Sequence, residues 1–519
     1  CGKSRQETHA DVGEKASDGV RVNGRERGCR VVGEGGNLGM SQLGRIEFAL
    51  NGGHCNTDFI DNSGGVDCSD REVNIKILLN RLVAQGDLTF KQRNEMLGEM
   101  TDDVSRLVLQ SNYRQTQAIS IANSEAAARL EEYRRLMARY ESRGLLDRSL
   151  EYMPDDEAHT ERQMAGQGLT RPELSVLIAI VKGDLKQTLA GSFVPDEPGI
   201  RDLIYNVFPP LLVERFGDEL QNHQLRRELI ATRVANDLVN RMGMTFVERL
   251  QQSTGASVPS IAQAYVIAKT VFRLDSWWER VEELDYQVDS SLQIQIQSEL
   301  MRLVRRATRW LLRNRRSEMN IQAHIGRFQG SIDAMTADLP SYIGDKAVAE
   351  WQKAFNEFSR MGVPDDVAGV VAGTPYLLSA LGIIEAQEET GLPLQEVANL
   401  YFAVGDALEL DWFGRAVSAL APKSHWEALA RESFREDLTW QQRALTTGIL
   451  RSRKPDQGLQ ASLDAWMAEH AGLIERWHTL LGELRSHPHP EFPMFSVALR
   501  ELLDLAQSTF HVGIDGEAH

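Results

Sequence analysis

Two glycine-rich stretches constrain the possible fold of this chain most. About thirty residues separate them, which is the span of one βαβ unit. The first reads VVGEGGN and starts at Val31, and the second reads NSGGVDCSD and starts at Asn62. Residues 29–32 and 57–61 predict short strands, and residues 41–50 have the apolar spacing of a helix. Ligands bind beyond the carboxyl ends of parallel strands, so we expect both turns to lie on one ligand-binding rim.

The side chains of the two turns suit a polar ligand. Asn37 and Asn62 each carry an amide that donates and accepts hydrogen bonds, which matches a carboxamide such as that of nicotinamide. We expect a helix to begin near Glu72, which places the Ser69 hydroxyl near an N-terminus that favours an anion such as a carboxylate. Taken alone, the same residues could simply form tight turns, where glycine and asparagine are common.

These motifs resemble the end of the nucleotide-binding domain of glutamate dehydrogenases, in the large bacterial NAD-dependent branch. The resemblance rests on four segments in order, VGEGGNLG, GRIEFAL, NTDFIDNSGGVDCSD and EVNIKILL. HADVG from His9 and RPELSVL from Arg171 are similar to the same branch. The match is dense over residues 9–80 and looser beyond them. The specific feature is the pair EGGN and NSGGVDCSD, since either half alone is weak.

The resemblance implies oxidative deamination of L-glutamate to 2-oxoglutarate and ammonia, with hydride passing to NAD. Carried over position by position, it implies a nicotinamide-side contact at Gly35, Gly36, Asn37 and Asn62. It also implies a glutamate pocket lined by Val66 and Ser69, with the Ser69 hydroxyl on the side-chain carboxylate. The family's catalytic lysine, catalytic aspartate and pyrophosphate fingerprint are not found in these 519 residues. We therefore expect the catalytic groups upstream of Cys1 and a fragment that is inactive alone.

A second hypothesis is a non-catalytic helical scaffold or regulatory module in which the glycine turns are vestigial. The spacing of Gly33, Gly35 and Gly39 departs from the GxGxxG fingerprint, so this turn is weak evidence for a phosphate cradle. The sequence before Cys1 would discriminate the two hypotheses. A strand–GxGxxG–helix unit and a glycine-flanked lysine there favour the enzyme.

Strand signals largely disappear after about residue 88, so the sequence predicts a mainly α chain with a short α/β segment. We predict three regions: the C-terminal part of a Rossmann-like dinucleotide-binding domain over 1–86, a helical connecting region over 87–168 and an all-helical C-terminal domain over 169–519. Residues 152–168 predict a loop. Thr170 and Glu173 predict a capping box that opens a helix, and Thr374-Pro375 predicts another helix start.

The amino-acid composition limits the kinds of binding partner and the cellular location that we expect. The net charge of −17 disfavours nucleic acid, and no apolar run approaches the roughly 18 residues of a membrane span. The four cysteines fall in the first 70 residues without a CxxC pair, so we expect reduced thiols in the cytoplasm, with Cys68 the chemically sensitive one. The resemblance further implies a homo-oligomer.

Three groups of charged residues have competing interpretations. We favour turn acids and a helix cap, and hence no metal site, for the carboxylates Asp58, Asp61, Asp67 and Asp70. His9 and Asp11 could form a catalytic pair, although surface or capping roles are commoner. We favour a solvated or salt-bridged helix face, over an effector or subunit contact, for the arginines Arg302, Arg305, Arg306, Arg309, Arg313, Arg315 and Arg316.

Overall fold

The computed structural model describes residues 2–13, 15–314, 319–422, 424–454 and 456–511. The chain divides into two compact units, Cys1–Val266 and Ile267–His519. Helices make up most of both units, which confirms the predicted mainly α class. The three-region division predicted from the sequence stays a prediction.

The first unit contains a short two-stranded parallel sheet. Strand β1, Gly2–Lys3, pairs with strand β2, Val22–Asn23. The strand predicted at 29–32 shrinks to one parallel bridge between Val31 and His54, closed by hydrogen bonds on either side of Val31. The short α/β segment is thus confirmed, whereas its Rossmann-like nature stays a prediction.

The first unit contains thirteen helices among its described residues, the last of which continues past the division between the units. Helix α9 begins as predicted, because the Thr170 side chain and Glu173 form a capping box. Gly86, with a φ of 87°, ends α4. The helices are α1 His9–Val12, α2 Gln42–Leu50, α3 Asp58–Asp61, α4 Val66–Gln85, α5 Phe90–Glu99, α6 Thr101–Ser124, α7 Leu130–Ser142, α8 Asp156–Met164, α9 Arg171–Ala190, α10 Pro210–Gln221, α11 Arg226–Met242, α12 Phe246–Thr254 and α13 Val258–Val271.

Two predictions at the second glycine turn are wrong. Residues 57–61 form the one-turn helix α3 instead of a strand, with Thr57 at its N-cap. Helix α4 begins at Val66, six residues before the predicted Glu72, with Gly65 as its N-cap. The local sequence favours neither outcome strongly. Contacts with the first turn decide the conformation, because α3 directs two carboxylates at backbone N–H groups of that turn.

The loop predicted at 152–168 contains helix α8. The Asp155 side chain caps it by accepting a hydrogen bond from the Ala158 amide at 2.8 Å. His159 is buried and places its Nε2 3.1 Å from the Leu130 carbonyl oxygen. The prediction failed because this helix is almost entirely polar and buries little besides the one histidine.

Helices α9 and α11 pack against each other at the centre of the first unit, and α6 and α2 also contact α9. Helix α9 is apolar over most of its circumference, as expected for a helix surrounded by others. Its Leu174, Leu177 and Ile178 are fully buried, and Ile230 of α11 is equally buried. This helical core supports the surface on which the two glycine turns lie.

The second unit is built around α22, which packs against α19, α20, α21 and α25. Phe413 lies between Trp477 and Phe495, with ring centroids 5.3 and 5.4 Å away. The helices after α13 are α14 Leu274–Glu282, α15 Ser290–Asn314, α16 Ile321–Ala337, α17 Asp345–Arg360, α18 Asp365–Leu377, α19 Ala380–Thr390, α20 Leu394–Ala407, α21 Leu410–Ala419, α22 His425–Ser452, α23 Leu459–Glu469, α24 Ala471–Ser486 and α25 Phe492–His511.

The helix start predicted at Thr374-Pro375 is wrong, because both residues lie inside α18. Helix α18 instead begins at Asp365, where two acidic residues occupy the first turn and favour the helix dipole. The buried Thr374 hydroxyl donates to the Val371 carbonyl oxygen rather than capping a new helix. The hydrogen-bonding capacity of the Thr374 hydroxyl is therefore used within α18 itself.

Of the described helices, none is by itself long and apolar enough to cross a membrane. The pair α18 and α19 meets the length and composition together, but the two helices are bent by 59° relative to each other.

Candidate functional site

The two glycine turns meet through their asparagines. The Asn62 side-chain nitrogen donates to the Asn37 side-chain oxygen at 2.9 Å. Asn37 is exposed and Asn62 is half-buried, so both amides remain close to the surface of the first unit. The structure therefore brings together two residues that lie 25 positions apart in the sequence.

Helix α3 holds the first turn in place through its two carboxylates. Asp61 accepts a hydrogen bond from the Glu34 amide at 3.2 Å, and Asp58 accepts one from the Leu38 amide at 2.9 Å. Asn56 donates to the second oxygen of Asp61 at 2.8 Å. This agrees with the interpretation of these two aspartates as turn acids. Leu38 has a φ of 62°, an uncommon conformation that the Asp58 contact helps to stabilise.

A buried ion pair anchors the same turn from below. Glu34 and Arg45 are both buried, and the Arg45 guanidinium donates to both Glu34 oxygens, at 2.9 and 2.7 Å. Burial opposes the charged form of Arg45, but the Glu34 carboxylate outweighs it and raises the Arg45 pKa. The sequence analysis missed this pair. Its only sequence signal was one acidic residue inside an otherwise small, uncharged turn.

The glycines of the two turns have different reasons to be glycine. A Cβ atom on Gly35, Gly36 or Gly64 would meet no atom of the described residues within 4 Å, and none of the three has a positive φ. A Cβ on Gly65 would instead lie 2.9 Å from the Asn62 amide. Packing within the chain therefore explains Gly65, whereas Gly35, Gly36 and Gly64 leave open space beside the bridged asparagines.

Ser69 lies inside the first turn of α4, whereas the sequence predicted it three residues before a helix that begins near Glu72. Its hydroxyl donates to the Val66 carbonyl oxygen at 3.0 Å, and both residues are exposed. Gly65 offers no side chain to cap this helix. A helix N-terminus favours an anion, although the Cys68 amide of this one already donates to the Ser63 carbonyl oxygen at 3.2 Å.

A polar cluster lies behind the first turn of α4. Asp67 faces Arg71 at 3.3 Å, and Lys182 of α9 donates to the Gln115 side chain of α6 at 2.6 Å. Burial lowers the pKa of Lys182 to about 7, although the Asp67 carboxylate acts in the opposite direction. Burial likewise raises the pKa of Asp67, opposed by Arg71. Nothing in the spacing of these residues predicted their proximity.

Arg171, in the RPELSVL segment, connects the same surface to the helical core. Its guanidinium donates to the Asn56 side chain at 3.0 Å and to the Ser120 hydroxyl at 2.9 Å. Burial lowers the Arg171 pKa, and the Asp61 carboxylate opposes that shift. Through Asn56 and Asp61, Arg171 is thus linked to the first glycine turn.

Other chemically interesting residues have structural roles. Asp11 closes a capping box with Thr8, which agrees with the capping interpretation of that residue. Burial raises the pKa of the Cys55 thiol to about 12, while Cys68 is half-buried. The ranges that the structure describes contain no cluster of three or more histidine, cysteine, aspartate or glutamate residues arranged for a metal ion.

Comparisons with known proteins agree with the motifs. Residues 166–504 match the family described as glutamate dehydrogenase, C-terminal. Residues 2–122 match the family described as bacterial NAD-glutamate dehydrogenase, catalytic domain. The chain therefore belongs to the glutamate dehydrogenase family. Within that family it falls in the bacterial NAD-dependent branch.

Individual relatives support the same assignment. The NAD-specific glutamate dehydrogenase of Pseudomonas aeruginosa is 52% identical over 509 residues, and that of Halomonas elongata is 46% identical over 506 residues. Each match covers 98% of this chain and 31% of the relative. The enzyme of Mycobacterium tuberculosis is 35% identical over 99% of this chain and 32% of its own length. The chain thus spans about a third of these relatives.

Proposed function

We propose that this chain is part of an NAD-dependent glutamate dehydrogenase, which converts L-glutamate to 2-oxoglutarate and ammonia. The observation that carries the proposal is the amide bridge between Asn37 and Asn62, next to glycines whose missing side chains leave open space. The match to the bacterial catalytic domain over residues 2–122 covers both turns.

The turns fit the nicotinamide half of NAD. Bound NAD would accept the hydride that leaves glutamate. Gly35 and Gly36 let a flat ligand approach the backbone, because no described residue occupies the space that a Cβ atom would take. Asn37 and Asn62 offer amide donors and acceptors to a carboxamide. The buried Glu34–Arg45 pair anchors the first turn, which carries Asn37.

The first turn of α4 fits the side-chain carboxylate of glutamate. We propose that Ser69 donates its hydroxyl hydrogen bond to that carboxylate, exchanging the Val66 carbonyl for a charged acceptor. The helix N-terminus adds favourable electrostatics. Val66, three positions earlier and equally exposed, would cover the aliphatic part of the substrate.

The groups that move protons are proposed to lie outside these 519 residues, since the family's catalytic lysine and aspartate have no match here. This chain would position cofactor and substrate. We further propose, from the family, a cytoplasmic homo-oligomer, with the region boundaries near residues 86 and 168. The alternative remains a helical scaffold or regulatory module with vestigial turns, and no observation favours it specifically.

The test is steady-state kinetics of glutamate-dependent NADH formation by the full-length protein that contains this chain. Ser69→Ala should raise the KM for glutamate, and Gly36→Ala should raise the KM for NAD, each by about tenfold or more, because a charge-assisted bond or a close contact is lost. Asn37→Ala should lower kcat/KM for NAD by a similar factor.

Matched variants control for nonspecific effects. Ser142 makes the same hydroxyl-to-carbonyl hydrogen bond on an exposed helix surface, so Ser142→Ala should leave kinetics unchanged. Gly98→Ala adds a methyl group into open space on α5 and should also be silent. Unchanged kinetics in all three turn variants would refute the residue assignments. A full-length protein without glutamate-dependent NADH formation would support the scaffold alternative.

A further inference from the structure

The second unit contains a cavity of about 270 Å³ that none of the glycine-turn chemistry uses. Helices α15, α19 and α22 surround it, and all its lining residues belong to the second unit. Five arginines and three acidic residues line it, together with the indole rings of Trp310 and Trp440. Its walls therefore combine an excess of positive charge with flat apolar surface.

Most of the arginines here follow the salt-bridge interpretation made from the sequence. Arg309 is buried and pairs with Glu432 and Glu436, and Arg313 faces Glu436 at 2.8 Å. Outside the cavity, Arg302 is exposed and pairs with Glu299 at 2.7 Å. Arg315 and Arg316 lie outside the described residues.

Two other guanidinium groups of the cavity also have carboxylate partners. Arg435 faces Glu432 at 2.9 Å, and Arg443 pairs with Glu385, which is itself buried. A ligand that bound only to these arginines would have to replace an existing ion pair. They provide positive potential at the cavity but no vacant partner.

Arg306 differs from its neighbours. It lines the same cavity and is half-buried, yet no hydrogen bond or ion pair joins its guanidinium to the part of the chain that the structure describes. Burial lowers its pKa to about 10, and the nearby Arg435 charge adds to this shift while Glu432 and Tyr401 oppose it. An anion can therefore bind to this half-buried guanidinium without first displacing a hydrogen-bonded ion pair.

We propose that this cavity is a binding site for a small organic anion, with a carboxylate or phosphate group on Arg306 and an aromatic ring against Trp310 and Trp440. The planar guanidinium fork of arginine matches both oxyanions in a bidentate arrangement. The indole of Trp310 is fixed by an edge contact with Phe328, whose centroid lies 5.9 Å away. Trp440 is 43% exposed, which leaves its ring accessible to a ligand.

Isothermal titration calorimetry on the full-length protein tests the site with four probes. Benzoate and phenyl phosphate carry a ring with either oxyanion, inorganic phosphate has no ring, and benzyl alcohol has no charge. We expect at least one of the two charged aromatic probes to bind more tightly than both benzyl alcohol and inorganic phosphate. The comparison of benzoate with phenyl phosphate identifies which oxyanion the site prefers.

Variants assign the binding to the cavity. Arg306→Gln should weaken the better aromatic probe by tenfold or more, and Arg306→Lys should weaken it less, because charge remains while the fork is lost. Arg302→Gln, on the exposed side of the same helix, should bind like the wild type. Trp440→Leu should weaken the aromatic probe but not inorganic phosphate.

The proposal is overturned if neither aromatic anion binds, if benzyl alcohol binds as tightly as they do, or if Arg306→Gln binds like the wild type. Circular dichroism of each variant checks that its helical content is retained. Should Arg306→Gln fail to fold, Arg306→Lys and Trp440→Leu decide, and unchanged binding in both overturns the site.

Discussion

Arg45 illustrates how one buried charge can determine the shape of a surface turn. Its guanidinium lies under the first glycine turn and donates to both oxygens of Glu34, with a further contact of 3.3 Å to Asp58. Glu34 belongs to the first glycine turn and Asp58 to helix α3, which leads into the second, so one arginine contacts both segments of the candidate site. Gly35 and Gly36 need no packing contacts of their own, because the Glu34–Arg45 ion pair holds the backbone of their turn.

We predict that Arg45→Met lowers the free energy of unfolding by about 3–5 kcal/mol, because it leaves the buried Glu34 carboxylate without its counter-charge. The double variant Glu34→Leu with Arg45→Met should recover most of this loss, since it removes both charges. Urea unfolding followed by circular dichroism measures both. Equal losses in the single and double variants would mean that the pair stabilises the fold by more than mutual neutralisation.

Helices α9 and α5 begin with the same local motif, a capping box, in two different environments. Thr170 and Glu173 form a capping box at the start of α9, and Thr89 with Gln92 forms one at the start of α5. Glu173 is fully buried and pairs with Arg162 through both oxygens, at 2.7 and 2.8 Å. Gln92 is exposed. Burial therefore distinguishes two boxes that look equivalent in the sequence.

We predict that Glu173→Ala destabilises the protein by about 2–4 kcal/mol, because it leaves Arg162 and the start of α9 without a buried partner. Gln92→Ala should cost only about 0.5–1 kcal/mol, since water replaces the lost hydrogen bonds. Chemical unfolding of the two variants in parallel provides the comparison. Equal losses would show that the cap, rather than the buried ion pair, accounts for the effect of Glu173.

Lys182 gives the whole molecule a pH dependence that no single helix would have. Three helices supply its surroundings: Asp67 from α4, Gln115 from α6 and Lys182 itself from α9. Its pKa is about 7 in the folded chain, against 10.5 for an ordinary lysine. Between these values the unfolded chain binds one more proton than the folded chain, so stability rises with pH.

We therefore expect the free energy of unfolding, relative to that of Lys182→Met, to increase by about 1–3 kcal/mol from pH 7 to pH 10, and to stay constant below pH 7. Denaturant unfolding at several pH values measures this difference, in which the contributions of other groups cancel. Lys91→Met, at an exposed lysine, serves as the control and should show no such slope. A flat difference for Lys182→Met would mean that its ammonium group is hydrated.

Sequence reasoning was most successful where neighbouring residues carry the information. Thr170 and Glu173 mark the start of α9 correctly, since a capping box acts within one helical turn. The order of the glycine motifs was enough to identify the family. It was not enough to test the role of any site residue, which stays a proposal.

The amino-acid sequence by itself determined the mainly α class, the capped start of α9 and the family, because these depend on periodicity, caps and motif order. Only the tertiary structure decided that residues 58–61 form a helix, that Asn37 contacts Asn62 and that Arg306 lines a cavity. The physical reason is the same in each case. Carboxylates, amides and guanidinium groups adopt the conformation that satisfies their hydrogen bonds. Their partners lie far away in the sequence, so a local pattern does not predict them.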